Sequence, residues 1–267
     1  MIQTIEIKTL EQAMEILLHQ HYNEEIGRIR SDYLYRGMPN SEFTLITSLQ
    51  HNCGDLQYEL EPSILRYFAK YAEKEDPQLM SSVWRQLITG QHHNLPTRLL
   101  DWTHSPLVGL HFSCCEADMA MTDKRDGVLW RIDEGEFTKL LPEKYKAALQ
   151  KDRTDVFSVE TLSSVVDNLE QYDADMGAKS IAILEPPSSD QRIINQYSHF
   201  TVMPKGVADF EKFLDENTEK TRKLIIKKEI RWQLRDLLDQ LNISERTLYP
   251  GLDGLSKWIA RHYYVTR

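Results

Sequence analysis

The run Leu107 to Met119, opened by Pro106, is apolar on most sides of a helix, a pattern that forces the rest of the chain to wrap around it. It is too short to cross a bilayer, and no run of eighteen or more apolar residues occurs anywhere in the chain, so a buried helix in the middle of a folded domain is expected. Thr103 or Ser105 can cap it and Pro106 suits its first turn. Its free amides would then point back at the polar segment 90–103, a geometry that suits a carboxylate or phosphate. A length of 267 residues with 41% hydrophobic side chains supplies the core such a helix needs.

Around this helix, strand and helix patterns alternate without a regular βαβ succession. Strands are expected at Ile2 to Ile7, Tyr33 to Tyr35, Gly127 to Ile132, Ser180 to Leu184, Phe200 to Met203 and Lys223 to Ile226, with a short extended piece at Phe43 to Ile46. Helical spacing covers Leu10 to Ile26, Leu56 to Ala72, Gln78 to Thr89, Phe137 to Gln150, Val156 to Met176, Asp190 to Tyr197, Glu229 to Leu241 and Leu252 to Tyr263. Gly90 is placed as the C-cap of the Gln78 helix. No repeat, linker or composition shift divides the chain. The expectation is one α+β domain over residues 1–267, a small mixed sheet surrounded by many helices, with its softest seam near Lys151 to Thr154. Ser244 to Leu248 could open a helix–turn–helix, but the acidic balance and the tight Pro250-Gly251 turn favour a packing role.

The net charge of −9 argues against broad, sequence-independent nucleic-acid binding, which needs a surplus of basic groups on one face. Lys220, Arg222, Lys223, Lys227 and Lys228 form the one basic cluster and read as a strand edge blunted by lysines. Cys53, Cys114 and Cys115 form no CxxC pair. The N-terminus has no basic segment followed by an apolar core, so a cytoplasmic, membrane-free protein is expected.

Chemistry concentrates between Gly90 and Thr103, where two histidines, an arginine, an aspartate and a tryptophan fall within one short stretch. His92 and His93, if extended, point to opposite sides, so one lines a cleft as a ribose contact or general acid–base while the other is structural. With no third ligand at a usable spacing they are not a zinc signature, and no metal site is expected. Pro96 keeps Leu95 extended, and an Arg98–Asp101 salt bridge under a Trp102 lid would stiffen the loop as well as direct ligand contact would. Arg36, at the end of an early strand, offers a planar fork suited to a phosphate or carboxylate. It could equally tie Asp101 or another carboxylate into the core. Gly37 beside it leaves room for a ligand at the backbone. On a short late helix Arg192 and Gln196 share one face.

Four motifs together resemble the FRG domain: Tyr35-Arg36-Gly37, the segment from Gln91 to Leu107 that reads Gln-His-His-Asn-Leu-Pro-Thr-Arg-Leu-Leu-Asp-Trp-Thr and onward, Arg192 to Gln196, and Tyr249 to Leu255. Such domains occur mostly in bacteria and their phages. The Tyr-Arg-Gly setting also resembles the first motif of ADP-ribosyltransferases of the arginine, serine, glutamate class, where the arginine holds NAD. That resemblance implies an ADP-ribosyltransferase-like fold and NAD bound by Tyr35, Arg36, Gly37, Gln91, His92, His93, Thr97, Arg98 and Trp102. Glu185 or Gln196 would act at the reacting carbon with His92 as the further catalytic group. An acceptor macromolecule and a role in a toxin or in phage defence go with it. The Glu-x-Glu or Gln-x-Glu of that class has no clear counterpart here. Two alternatives stand beside this reading: a non-catalytic module recognising a nucleotide or protein, and a nuclease or hydrolase pairing His92 with Asp101.

Overall fold

The computed structural model describes residues 1–18, 22–188 and 190–265. Among the described residues nine strands form: β1 (Gln3–Ile7), β2 (Tyr22–Asn23), β3 (Arg28–Ile29), β4 (Tyr33–Met38), β5 (Leu99–Thr103), β6 (Gly127–Asp133), β7 (Ala182–Leu184), β8 (Ser198–Val202) and β9 (Arg222–Ile226). β2 and β3 make a small ribbon. The other seven form one mixed sheet in the order β1-β9-β6-β4-β5-β8-β7. β1 runs parallel to β9 and every other pairing is antiparallel. Helices cover both faces, so the chain is a single α+β domain, as its interleaved patterns require.

The sheet is apolar on both sides because its strands carry near-continuous runs of large side chains. Leu34, Leu100, Trp102, Trp130 and Ile132 meet Phe137, Phe210 and Phe213 on one face. Tyr35, Leu129, Leu224 and Ile226 meet Leu110, Leu234 and Leu238 on the other. A third cluster, around Trp84, Tyr145, Phe157 and Tyr172, fills the β7–β8 end.

The apolar helix forms over Pro106–Cys114, shorter than expected, and buries Val108, Leu110, His111 and Cys114 against the sheet. Two glycines allow its close approach. A Cβ on Gly37 would lie 1.9 Å from the Gly109 carbonyl oxygen, and one on Gly127 would lie 2.1 Å from that of Ser113. The chain approaching Gly37 is therefore this helix and not a ligand. Ser105 caps it, its Oγ accepting from the Val108 N–H at 3.3 Å.

Several expected boundaries move. The helix from Leu10 is described over Leu10–Leu18, residues 19–21 lie outside the described ones, and the expected continuation to Ile26 is replaced from Tyr22 on by the β2–β3 ribbon. Pro142 divides Phe137 to Gln150 into Glu134–Leu140 and Glu143–Asp152. An extended Val166 and the Asn168 cap divide Val156 to Met176 into Val159–Val165 and Leu169–Met176. Phe43 to Ile46 forms no strand. The basic cluster does not blunt an edge, because β9 lies between β1 and β6. Its lysines instead pair outward: Lys220 with Asp133 at 2.7 Å, Lys227 with Asp126 at 2.5 Å and Lys223 with Glu211 at 3.8 Å. Among the described residues no helix is long and apolar enough to cross a membrane.

Candidate functional site

β4 and β5 touch through one residue pair, Tyr35 with Thr103, and diverge beyond it. Between them opens a cleft of about 320 Å³, half-enclosed and lined by both polar and aromatic groups. That volume lies at the small end for ligand sites, enough to enclose part of a dinucleotide.

The floor is a relay of hydrogen bonds that begins at Thr97. Its backbone N–H donates to Ser48 Oγ at 3.1 Å and its hydroxyl donates to Gln91 Oε1 at 2.6 Å. This orients the Gln91 amide so that Nε2 donates to Asp101 Oδ2 at 3.0 Å. Arg36 Nη1 then donates to the Asp101 carbonyl at 2.8 Å and reaches Asp101 Oδ2 at 3.4 Å. The Arg36 Nε is buried without a partner, and a carboxylate or phosphate oxygen would satisfy it. Asp101 keeps 56% of its side chain exposed, so its free carboxylate edge faces the cleft.

Helix Gln191–Gln196 supplies the opposite wall. Gln196 Nε2 donates to the Leu248 carbonyl at 3.0 Å and Asn195 Nδ2 to that of Thr247 at 2.6 Å, which ties the helix to the segment carrying Tyr249. Arg192 lies over the Tyr249 ring at 5.1 Å and donates to the His92 carbonyl at 3.3 Å. Burial pushes the Tyr249 phenol up to about 12, so it stays protonated at neutral pH.

Of the residues expected to bind or react, Tyr35, Arg36, Gly37, Gln91, Trp102 and Gln196 line this cleft. The others do not. His92 ends the helix Val83–His92 and His93 caps it, so the pair is not extended. His92 turns to Asp190, Nε2 to Oδ1 3.4 Å, with burial lowering its pKa, and His93 packs edge-on against it. Gly90 is inside that helix. The left-handed position belongs to Asn94 at φ 62°, and the Leu95 N–H closes the turn on the Gly90 carbonyl at 2.8 Å. Thr97 is wholly buried and acts through Gln91. Arg98 does not pair with Asp101. It is buried in a clamp with Glu61 and Asp173, the latter at 2.7 Å. Trp102 is no lid: its ring is buried, and Nε1 donates to Thr201 Oγ1 at 3.1 Å. Glu185 is exposed beyond the end of β7 and does not reach the cleft. With His92 turned away, no His92–Asp101 pair forms there. The helix Pro106–Cys114 offers Phe112, and not its capped N-terminus, to the site.

Asp101, expected in a loop-stiffening salt bridge, faces the cleft instead, and Tyr249, which heads a motif but is not among the expected binding residues, joins it from the far end of the chain. Asp101 sits on an otherwise apolar strand whose neighbours Leu100 and Trp102 face the core, so strand alternation alone aims it at the opposite face. The motif Tyr249 to Leu255 was the available signal, although its local chemistry does not say that the ring walls a cleft.

No curated protein and no solved structure matches the chain. The FRG domain family matches residues 31–121. That span holds Arg36, Gln91 and Asp101, the relay that floors the cleft, while Arg192, Gln196 and Tyr249 lie outside it. The segment that supplies the floor of this split-sheet cleft, residues 31–121, is therefore an FRG domain match within the chain.

Proposed function

We propose that the cleft binds a phosphate-bearing nucleotide, with NAD as the member of that class to which the Tyr35-Arg36-Gly37 resemblance points. The observation that carries this reading is the meeting of two guanidinium groups, Arg36 and Arg192, from distant segments in one cleft walled by Phe112 and Tyr249. Guanidinium forks suit phosphate oxygens, and aromatic walls suit a base or nicotinamide ring. Arg36 is held in place by Asp101 before any ligand arrives, which lowers the ordering cost of binding.

Asp101 is the one carboxylate lining the cleft among the described residues. In this reading it takes the place that Glu185 was expected to fill. Positioned beside the ribose, it stabilises positive charge as the bond from C1′ to nicotinamide breaks and the electron pair leaves with nicotinamide. Water or an acceptor hydroxyl then bonds C1′ and gives up its proton to the carboxylate.

Calorimetric titration with NAD and ADP-ribose, alongside chromatographic measurement of released nicotinamide, tests both parts. Arg36→Ala should weaken binding about 10- to 100-fold, the range for a charged hydrogen bond. Asp101→Asn should bind within a few-fold of the parent and lose turnover. Absence of NAD and ADP-ribose binding at millimolar concentration in folded protein would refute the nucleotide reading. Binding without nicotinamide release would remove the transfer step and leave a recognition module.

A further inference from the structure

His104, Glu134 and His199 converge at the end of the sheet from three separate segments: one residue past β5, one residue past β6, and inside β8. One ligand atom from each lies within 4.8 Å of the other two. The His104 and His199 rings are 4.3 Å apart and nearly perpendicular. His199 and Glu134 are both more than nine-tenths buried.

The pocket is poorly satisfied by the protein alone. Glu134 Oε1 makes no well-aligned hydrogen bond, and its one close partner is the His104 Nε2 at 3.1 Å, an ion pair only when that ring is protonated. That separation also suits neighbouring ligands on one ion, about 3.4 Å apart for metal bonds of about 2.1 Å. Further carboxylates crowd the spot, Asp32 and Asp155 acting on Glu134 and Glu185 acting on His104. A buried carboxylate with acidic neighbours and no cation beyond a histidine is costly, and a divalent ion removes that cost. The outer contacts are also those of a ligating histidine: His199 Nδ1 faces the Tyr197 carbonyl at 3.3 Å, which leaves Nε2 for the ion.

We propose that His104, Glu134 and His199 bind one divalent transition-metal ion of the zinc class. Two imidazoles and a carboxylate select a borderline ion over magnesium or calcium, which want oxygen shells, and three protein ligands leave one position open. The ion pins β5, β6 and β8 together beside the cleft, since His104 follows Thr103 and His199 follows Ser198, both cleft residues. Its existence does not depend on nucleotide binding.

The test uses the full chain, stripped with chelator, refilled with zinc and assayed for bound metal, with cobalt absorption as a readout of geometry. The expected result is one equivalent of zinc, tetrahedral-type cobalt bands and a rise in melting temperature. His104→Ala and Glu134→Gln, with fold checked by circular dichroism, should weaken binding at least tenfold. Cys115→Ser should keep it, because the second cluster of His111, Cys115 and Glu245 has its carboxylate already bound by Arg235 and Arg261. No stoichiometric metal in the folded parent, or metal retained by both His104→Ala and Glu134→Gln, would overturn the proposal. So would loss confined to Cys115→Ser.

Discussion

His111 is a titratable ring inside an apolar helix, 2% exposed, with Nε2 buried and unpartnered. Burial lowers its pKa to about 4, and the nearby Arg235 charge pushes the same way. An unfolded histidine protonates near 6.5. Between pH 6.5 and 4 the unfolded chain therefore binds the extra proton, and stability falls as pH falls, on the order of 3 kcal/mol over the full window. His199, held to about 4 by its own burial, titrates in the same window in metal-free protein. Glu245 acts lower. Burial would raise its carboxyl, but hydrogen bonds from Arg261 and the charge of Arg235 hold it down to about 2. Its stabilising share is present above about 4.5 and is lost as pH falls toward 2. His111→Phe should thus flatten part of the decline in urea-melt stability between pH 6.5 and 4 and leave the decline below 4.5 intact. An unchanged slope across the upper window would show that His111 does not carry it.

Among the elements, the contact between β4 and the helix Pro106–Cys114 is the most exacting. The missing Cβ of Gly37 is replaced by the Gly109 carbonyl at 1.9 Å, a backbone atom with no rotamer by which to escape. Gly37→Ala must push helix and strand apart, at a cost of about 2 kcal/mol or more. Because Arg36 is the next residue on β4, ligand affinity should fall with stability, readable as a lower melting temperature and a weaker titration. Wild-type values in both would mean the helix can shift without loss. Element boundaries were legible where chemistry marks them: Ser105 with Pro106 starts a helix, and Asp190 caps another by accepting from the Arg192 N–H. They were misread where one residue type serves two purposes. Gly90 reads as a stop signal, yet here its missing side chain makes room for Leu95, and Asn94 stops the helix instead.

At the scale of the whole molecule, the cleft depends on the C-terminal region folding back. Arg261 binds Asp239 at 2.6 Å and Glu245 at 2.8 Å, and Arg235 binds Glu245 from the other side. This buried network fixes the segment that runs from Glu245 to Tyr249, and Gln196 and Asn195 are hydrogen-bonded to that same segment. Arg261→Met leaves Glu245 and Asp239 short of a partner, which costs about 3–5 kcal/mol for a broken buried pair. It should loosen the Arg192–Tyr249 wall and weaken nucleotide binding while β4 and β5 stay formed. Hydrogen exchange that speeds up in residues 191–196 and 245–262, with β4 and β5 unchanged, is the expected pattern; uniform exchange would argue against a separable wall.

The sequence by itself determined that the chain folds as a mixed α+β domain around one apolar helix, and it pointed to Arg36, Gln91 and Gln196 as parts of one pocket. Apolar periodicity says which face of an element is buried, and turn chemistry says where many elements end. Only the tertiary structure decided which charges meet. Arg98 and Asp101 are three residues apart, yet Arg98 reaches Glu61 on the helix Gln57–Ala72 and Asp101 takes Arg36 from the neighbouring strand, since each side chain bonds whatever the tertiary fold packs beside it. Strand order likewise put the basic β9 inside the sheet, and brought Tyr249 to the cleft and His104, Glu134 and His199 to one point. Ion-pair and ligand sets across more than one element depend on register and adjacency, which local sequence does not encode.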